Sequence, residues 1–156
     1  IGLGPGSYTG IRSAIAIARG WQLARGIKLL GISSAECLAA RAWAEEIFGR
    51  VNVMIDAQRN EFYLATYDIF ANGWKEIEPL RIASLAEIQS RAEKEILAGP
   101  EASLWISNGR RLFSNAMTLI RLAARSEHFL PGEKLEPIYL REPNFVKAPA
   151  RREAVS

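Results

Sequence analysis

Ile1-Gly2-Leu3-Gly4-Pro5-Gly6-Ser7-Tyr8-Thr9-Gly10-Ile11-Arg12, running straight on into Ser13-Ala14-Ile15-Ala16-Ile17-Ala18, decides how the rest of the chain is read. An apolar stub, a Gly-Pro-Gly turn, two hydroxyl side chains and a long apolar pattern describe a strand, a loop and a helix. The glycines let the backbone approach another group closely, and the helix start behind them presents unpaired N–H groups to an anion. Neither common phosphate motif is present. No Lys-Ser/Thr pair closes the loop, and Gly4-Pro5-Gly6 lacks the third glycine of a dinucleotide fingerprint. The competing reading has Ser7 or Thr9 cap the helix while Pro5 fixes the turn.

Residues 9–25 read as a helix that is apolar nearly all round, through Ile11, Ala14, Ile15, Ile17, Ala18, Trp21, Leu23 and Ala24. Such a helix is expected to be buried on more than one side. Gly26 stops it, and 28–32 is a short buried strand. Ser33 and Glu36 form a capping box for a helix over 34–48, whose stripe is Ala35, Leu38, Ala39, Ala42, Trp43 and Ile47. Strands are expected over 51–57 and 61–70, and Asn72-Gly73 turns the second into a third over 74–82. Ser84, with Glu87, caps a helix over 85–97. A strand over 103–106, a helix over 110–126 and a last strand over 137–141 follow, with disorder from Ala148. Strands and helices alternating around an antiparallel hairpin indicate an α/β fold with a mixed sheet.

Nearly half of the 156 residues are hydrophobic (49%) and 24% are charged, the composition of a globular chain with a core. The single cysteine excludes an internal disulfide and fits a reducing compartment, so a cytoplasmic location is expected. No apolar run reaches membrane-spanning length, Arg12, Arg19 and Arg25 interrupting the first helix. The net charge is +3, and the fifteen arginines are spread along the chain; only Arg151-Arg152 approaches a basic block. Contact with RNA by this chain alone is therefore not expected.

Four ordered stretches carry a resemblance: GPGSYTGIR with GISSAECLA, Asp56–Tyr63 (DAQRNEFY), Ser107-Asn108-Gly109, and Glu136–Arg141 (EPIYLR). They resemble the TsaB (YeaZ) family, which supplies a non-catalytic subunit of the bacterial machinery that makes N6-threonylcarbamoyladenosine in tRNA. The resemblance implies the actin-like, or ribonuclease-H-like, ATPase fold. It places 1–48 in an incomplete N-terminal lobe, 49–147 in a second ribonuclease-H-like lobe and 148–156 in a disordered tail. In that superfamily the corresponding loop can face nucleotide phosphates, which makes Gly4, Gly6, Ser7 and Thr9 the candidates for nucleotide or anion binding.

The catalytic relatives, the TsaD group, carry an H-x-x-x-H metal pair at the start of the helix after the "GV" strand, two imidazoles four apart on one face. Here Ser34 and Leu38 stand at those positions, so no metal ligand and no catalytic residue is assigned. His128, the only histidine, and Cys37 are read as structural. Asp56 and Glu61 are the carboxylates placed for acid–base work, against a reading as turn chemistry. The resemblance then implies a scaffold that pairs with a TsaD-type catalytic paralogue and works with an ATPase subunit of the same pathway. A homodimer is the other assembly, tRNA is engaged indirectly, no cofactor is assigned to this chain by itself, and ATP or ADP is expected in the complex. Ala14, Ile17 and Trp21 form the expected interface ridge. The alternative function is an ATP-dependent small-molecule kinase or nucleotide-binding protein of the same fold.

Overall fold

The protein is described by a computed structural model over residues 1–140. The disorder expected from Ala148, the end of the second lobe at 147 and the last residue of the EPIYLR stretch lie outside the described residues.

Strand β1 (Gly2–Gly4) leads through the glycine loop into helix α1 (Tyr8–Arg25). Ser7 caps α1, its Oγ accepting from the Gly10 N–H at 3.2 Å, and Gly26 ends it with a left-handed φ of 64°. The segment after Gly26 is less regular than the expected strand. Leu29 makes an isolated antiparallel bridge with Leu130, and strand β2 (Ile32–Ser33) pairs in parallel with β1. Ser33 then caps helix α2 (Ser34–Ala44), which stops short of the expected 48 at an irregular turn.

A meander follows: β3 (Gly49–Asp56), β4 (Glu61–Phe70) and β5 (Gly73–Ser84). Asp56 pairs with Phe62 at one end of β3–β4, and Phe70 pairs with Gly73 across the Asn72-Gly73 turn, where Gly73 has a φ of 151°. Helix α3 (Leu85–Ala92), capped by Ser84, carries the chain across to β6 (Ile96–Gly99), which pairs with β3 in parallel. Helix α4 (Ala102–Trp105) and β7 (Arg110–Arg111) follow, then helix α5 (Ala116–Ala123). The larger sheet has the order β5-β4-β3-β6-β7, mixed as expected.

Three expectations between 85 and 126 are corrected. The helix over 85–97 gives way to a strand at Ile96, because Leu97 and Ala98 are needed beside β3. Residues 103–106 are helical or irregular rather than a strand. The helix over 110–126 contracts to 116–123, since Arg110 and Arg111 form β7 beside β6. The expected last strand over 137–141 is absent among the described residues. In its place Ile138 N–H donates to the Leu3 carbonyl at 2.9 Å.

Alanines explain why α2 sits centrally. Ala35, Leu38, Ala39 and Ala42 pack on Val51, Val53, Ala65 and Tyr67 of the sheet, while Cys37 and Ala40 face Leu122 of α5. Small side chains allow close approach on both faces. The sheet's other face packs Met54, Phe62 and Leu64 against Ile88 of α3. Residues 130–138 return to α1, where Leu135 joins Ile15, Ala18 and Leu29.

Candidate functional site

The glycine loop presents its candidates unequally. Gly4 is buried with a φ of 96°, and a Cβ there would fall 2.7 Å from Ile11 Cδ1, so the residue is required by the turn itself. Gly6, Ser7 and Thr9 are exposed. The Ser7 hydroxyl is occupied as the α1 cap, and the Ser7 carbonyl accepts from Ile11 N–H at 2.9 Å. Thr9 extends outward in the first turn. The four residues therefore share one corner, with the capping role of Ser7 visible in its hydrogen bond.

Beside that corner lies a cluster that composition and spacing did not single out. Arg12 stacks over the Tyr8 ring at 4.2 Å from its centroid and donates from Nε to the Tyr139 hydroxyl at 2.7 Å. The two tyrosine rings are 5.9 Å apart and tilted by 34°. This contact spans 127 positions, so only Tyr8 and Arg12, one helical turn apart, could have been paired from the sequence. The hydrogen bond to Tyr139 is the main cause that holds the Arg12 guanidinium above its usual range.

The expected ridge on α1 is open. Ala14, Ile17 and Trp21 line one apolar groove of about 510 Å³ together with Ile27, Leu30 and Phe129. Ile17 is 56% and Trp21 62% exposed, and only Ile15 and Ala18 of α1 are buried. The helix is thus buried on one side, not two. Lys28 closes one rim of the groove, its ammonium 5.2 Å above the Phe129 ring.

The remaining candidates resolve as structure. Leu38 is 1% exposed in the core and Ser34 begins α2, so the positions of the metal pair are taken up by packing and helix initiation. Among the described residues, no group of three or more His, Cys, Asp or Glu side chains converges to hold a metal ion. No described helix is long and apolar enough to cross a membrane. Cys37 is buried, and burial, with Glu36 second, pushes its thiol up to about 11. Asp56 Oδ1 accepts from the Gln58 N–H at 2.7 Å, and Gln58, Arg59 and Asn60 follow with φ of 66°, 61° and 58°. That is the hydrogen-bonded corner, as the turn reading has it. His128 is exposed, its N–H donating to Ser126 Oγ. Ser107-Asn108-Gly109, expected as a strand-to-helix loop, instead joins α4 to β7, with Asn108 Nδ2 donating to the Ala92 carbonyl at 3.2 Å. In this part of the chain a parallel strand leads into a helix at Gly99-Pro100-Glu101 instead.

Comparison with known proteins finds relatives of this chain by sequence and by fold. The family model described as "TsaD: tRNA N6-adenosine threonylcarbamoyltransferase" matches residues 1–128. The chain is 29% identical over 160 residues to the tRNA threonylcarbamoyladenosine biosynthesis protein TsaB of Escherichia coli, covering 90% of this chain and 68% of that protein. It is 29% identical to the TsaB of Buchnera aphidicola, covering 75% of this chain and 61% of that one. Among solved structures, YeaZ from Pseudomonas aeruginosa superposes with a TM-score of 0.72 at 27% identity, covering 89% of this chain and 72% of that one. A second structure, of a Pseudomonas aeruginosa protein with similarity to peptidase YEAZ, gives 0.73 at 27% identity over 90% of this chain and 71% of that one.

Proposed function

We propose, for a chain that belongs to the TsaB/YeaZ branch of the TsaD family, that it serves tRNA threonylcarbamoyladenosine biosynthesis as a non-catalytic scaffold. The TsaB names of its relatives support the pathway. The scaffold role rests on the chain's own surface. Its partner is a TsaD-type catalytic paralogue, and the chain's contribution is to form an interface, not to make or break bonds. An ATPase subunit of the pathway completes the assembly, and ATP or ADP belongs to the assembly.

The observation that carries this reading is the α1 ridge. A tryptophan left 62% exposed beside Ile17 and Ala14, over an apolar groove, is costly in water. It is the residue type that anchors an interface once covered. Leu38 at a position where the catalytic relatives hold a histidine agrees with a supporting role.

The test is a reconstituted reaction holding a TsaD-type partner, the pathway's other proteins and tRNA, with the modified nucleoside measured by mass spectrometry. A full-length TsaB subunit is the control. In reactions without the control subunit, the product is expected only when this chain is present. Trp21→Ala is expected to weaken pairing by about 30-fold, the loss of a hot-spot side chain of about 2 kcal/mol. Product formation unaffected by omitting the chain, with the control active, would overturn the reading.

A further inference from the structure

The side of α1 away from the groove carries a second, chemically different surface. Tyr8 is 49% and Tyr139 45% exposed, although Arg12 packs against both rings. Next to them a cleft of about 290 Å³ runs along α1, lined by Arg12, Ile15, Arg19, Leu135, Glu136 and Pro137. Arg12 and Arg19 are two turns apart on one face, about 10 Å along the axis. Arg19 donates to the carbonyls of Gly132 and Leu135 at 2.6 and 2.7 Å, which fixes its guanidinium without neutralising it. Neither arginine has a carboxylate within ion-pair distance among the described residues. The groups acting on Arg12 are the two phenols. Among the described residues, Glu136 is the one acid that lines the cleft.

Half-exposed aromatic rings beside pre-oriented guanidinium groups with no ion-pair partner among the described residues are the chemistry that holds a single-stranded nucleic acid: bases stack and phosphates pair. We propose that this cleft is an RNA contact, with a base on the Tyr8–Tyr139 pair and the adjoining phosphates against Arg12 and Arg19. The choice of RNA rests on the proposed role in tRNA modification. Direct contact goes beyond the sequence reading, in which tRNA is engaged indirectly.

The experiment is fluorescence polarisation of a labelled single-stranded RNA of about eight nucleotides, titrated with the whole chain at two salt concentrations. ATP is the second probe. Tyr8→Ala is expected to weaken RNA binding by about 5- to 100-fold. Arg12→Gln is expected to lower the slope of log K against log salt by about 0.7, the share of one phosphate on a single strand. Arg12→Lys keeps the charge but not the planar stack, so affinity falls while the slope stays. Thermal melting of each variant separates loss of fold from loss of contact. No RNA binding by the parent chain, or equal binding by well-folded Tyr8→Ala and Arg12→Gln, overturns the proposal. A Tyr8-dependent complex with ATP as tight as that with the oligomer assigns the cleft to a free nucleotide and also overturns it. The reconstituted modification reaction separates the two readings. Product formation with RNA binding indifferent to these variants removes only the RNA cleft. Tyr8-dependent RNA binding without support of modification removes only the pathway role.

Discussion

Replacing Arg91 with methionine tests how much of the fold depends on one guanidinium. Asn52 and Thr66 are paired across β3–β4 and are both 0% exposed. Thr66 Oγ1 donates to Asn52 Oδ1 at 2.9 Å, and Arg91 Nη1 donates to Asn52 Oδ1 and Thr66 Oγ1, both at 3.0 Å. Arg91 also holds Glu78 at 2.7 Å and Glu87 at 3.2 Å, while Asn52 Nδ2 donates to Glu95 at 2.7 Å. The outer pairs are worth little, about 0–1 kcal/mol, because the Glu78 side chain is 39% exposed. The inner contacts join a charge to fully buried oxygens and are worth about 1.5–3 kcal/mol. Arg91→Met should therefore cost about 2–4 kcal/mol, read as a fall in the urea midpoint at unchanged slope. Removing the buried partners as well should recover most of this. The triple variant Arg91→Met, Asn52→Leu, Thr66→Val should lie within about 1 kcal/mol of the parent, because no fully buried group remains unpaired and Glu95, which loses Asn52, keeps a side chain 25% exposed to water. The acid limb gives an independent check. Arg91 foremost holds the Glu78 carboxyl below its ordinary value, and Arg81 foremost does so for Glu87. Their contribution is present above the unfolded carboxylate range and is lost as pH falls through the lower folded values. The loss of stability below about pH 4.5 should be shallower in Arg91→Met. A triple variant as unstable as the sum of its parts would refute the reasoning.

Three further outcomes follow from single sites. Gly99→Ala would place a Cβ inside the Met54 carbonyl oxygen across the β3–β6 pair; backbone cannot yield there without parting the strands, so calorimetry should show a loss of about 3 kcal/mol or more. Ser7→Ala removes the α1 cap and should cost about 1 kcal/mol in thermal unfolding; Ser7→Gly should cost only a few tenths. Cys37, 2% exposed with its thiol raised to about 11, should resist iodoacetamide at pH 8 in the folded protein and react on unfolding. Its unfolded thiol ionises first, so its share of stability is complete below the unfolded value of about 8.5 and falls as pH rises toward 11, by about 1.4 kcal/mol per unit at most.

The meander was legible because each of its signals is local. Asn72-Gly73 supplies the turn, and β4 and β5 lie within reach of it. The caps at Ser7, Ser33 and Ser84 were legible for the same reason, each hydroxyl meeting an N–H two or three residues on. Residues 96–112 were not. Ile96–Gly99 is a strand only because β3, more than forty positions earlier, offers a free edge; taken alone, its apolar residues continue the pattern of α3. The Arg91 network was hidden for a related reason. Asn52 and Thr66 look like solvent-facing positions in strands, and the guanidinium that satisfies them lies 39 and 25 positions away. At the candidate site, Ala14, Ile17 and Trp21 were readable from helical spacing, whereas the Tyr8–Arg12–Tyr139 cluster needs the return of residues 130–139 to α1.

That return leaves α1 with two separate faces, and the independence of the roles proposed for them can be tested. Arg12 and Arg19 precede Ala14 and Trp21 by two positions each. At about 100° per residue, the basic stripe and the apolar ridge are about 200° apart, on nearly opposite sides of the helix. The basic stripe is fixed by donors that reach Gly132, Leu135 and Tyr139. The ridge faces the groove bounded by Ile27, Leu30 and Phe129. Among the described residues, no side chain is shared between the two, so perturbations should add within about 0.5 kcal/mol. Trp21→Ala should weaken pairing with the TsaD-type partner while RNA polarisation stays unchanged, and Arg12→Gln should do the reverse. In the double variant, the two losses should combine without interaction. If Trp21→Ala also weakens RNA binding in the isolated chain, with its melting temperature unchanged, the faces are coupled through the helix. RNA contact and partner contact would then be one surface rather than two.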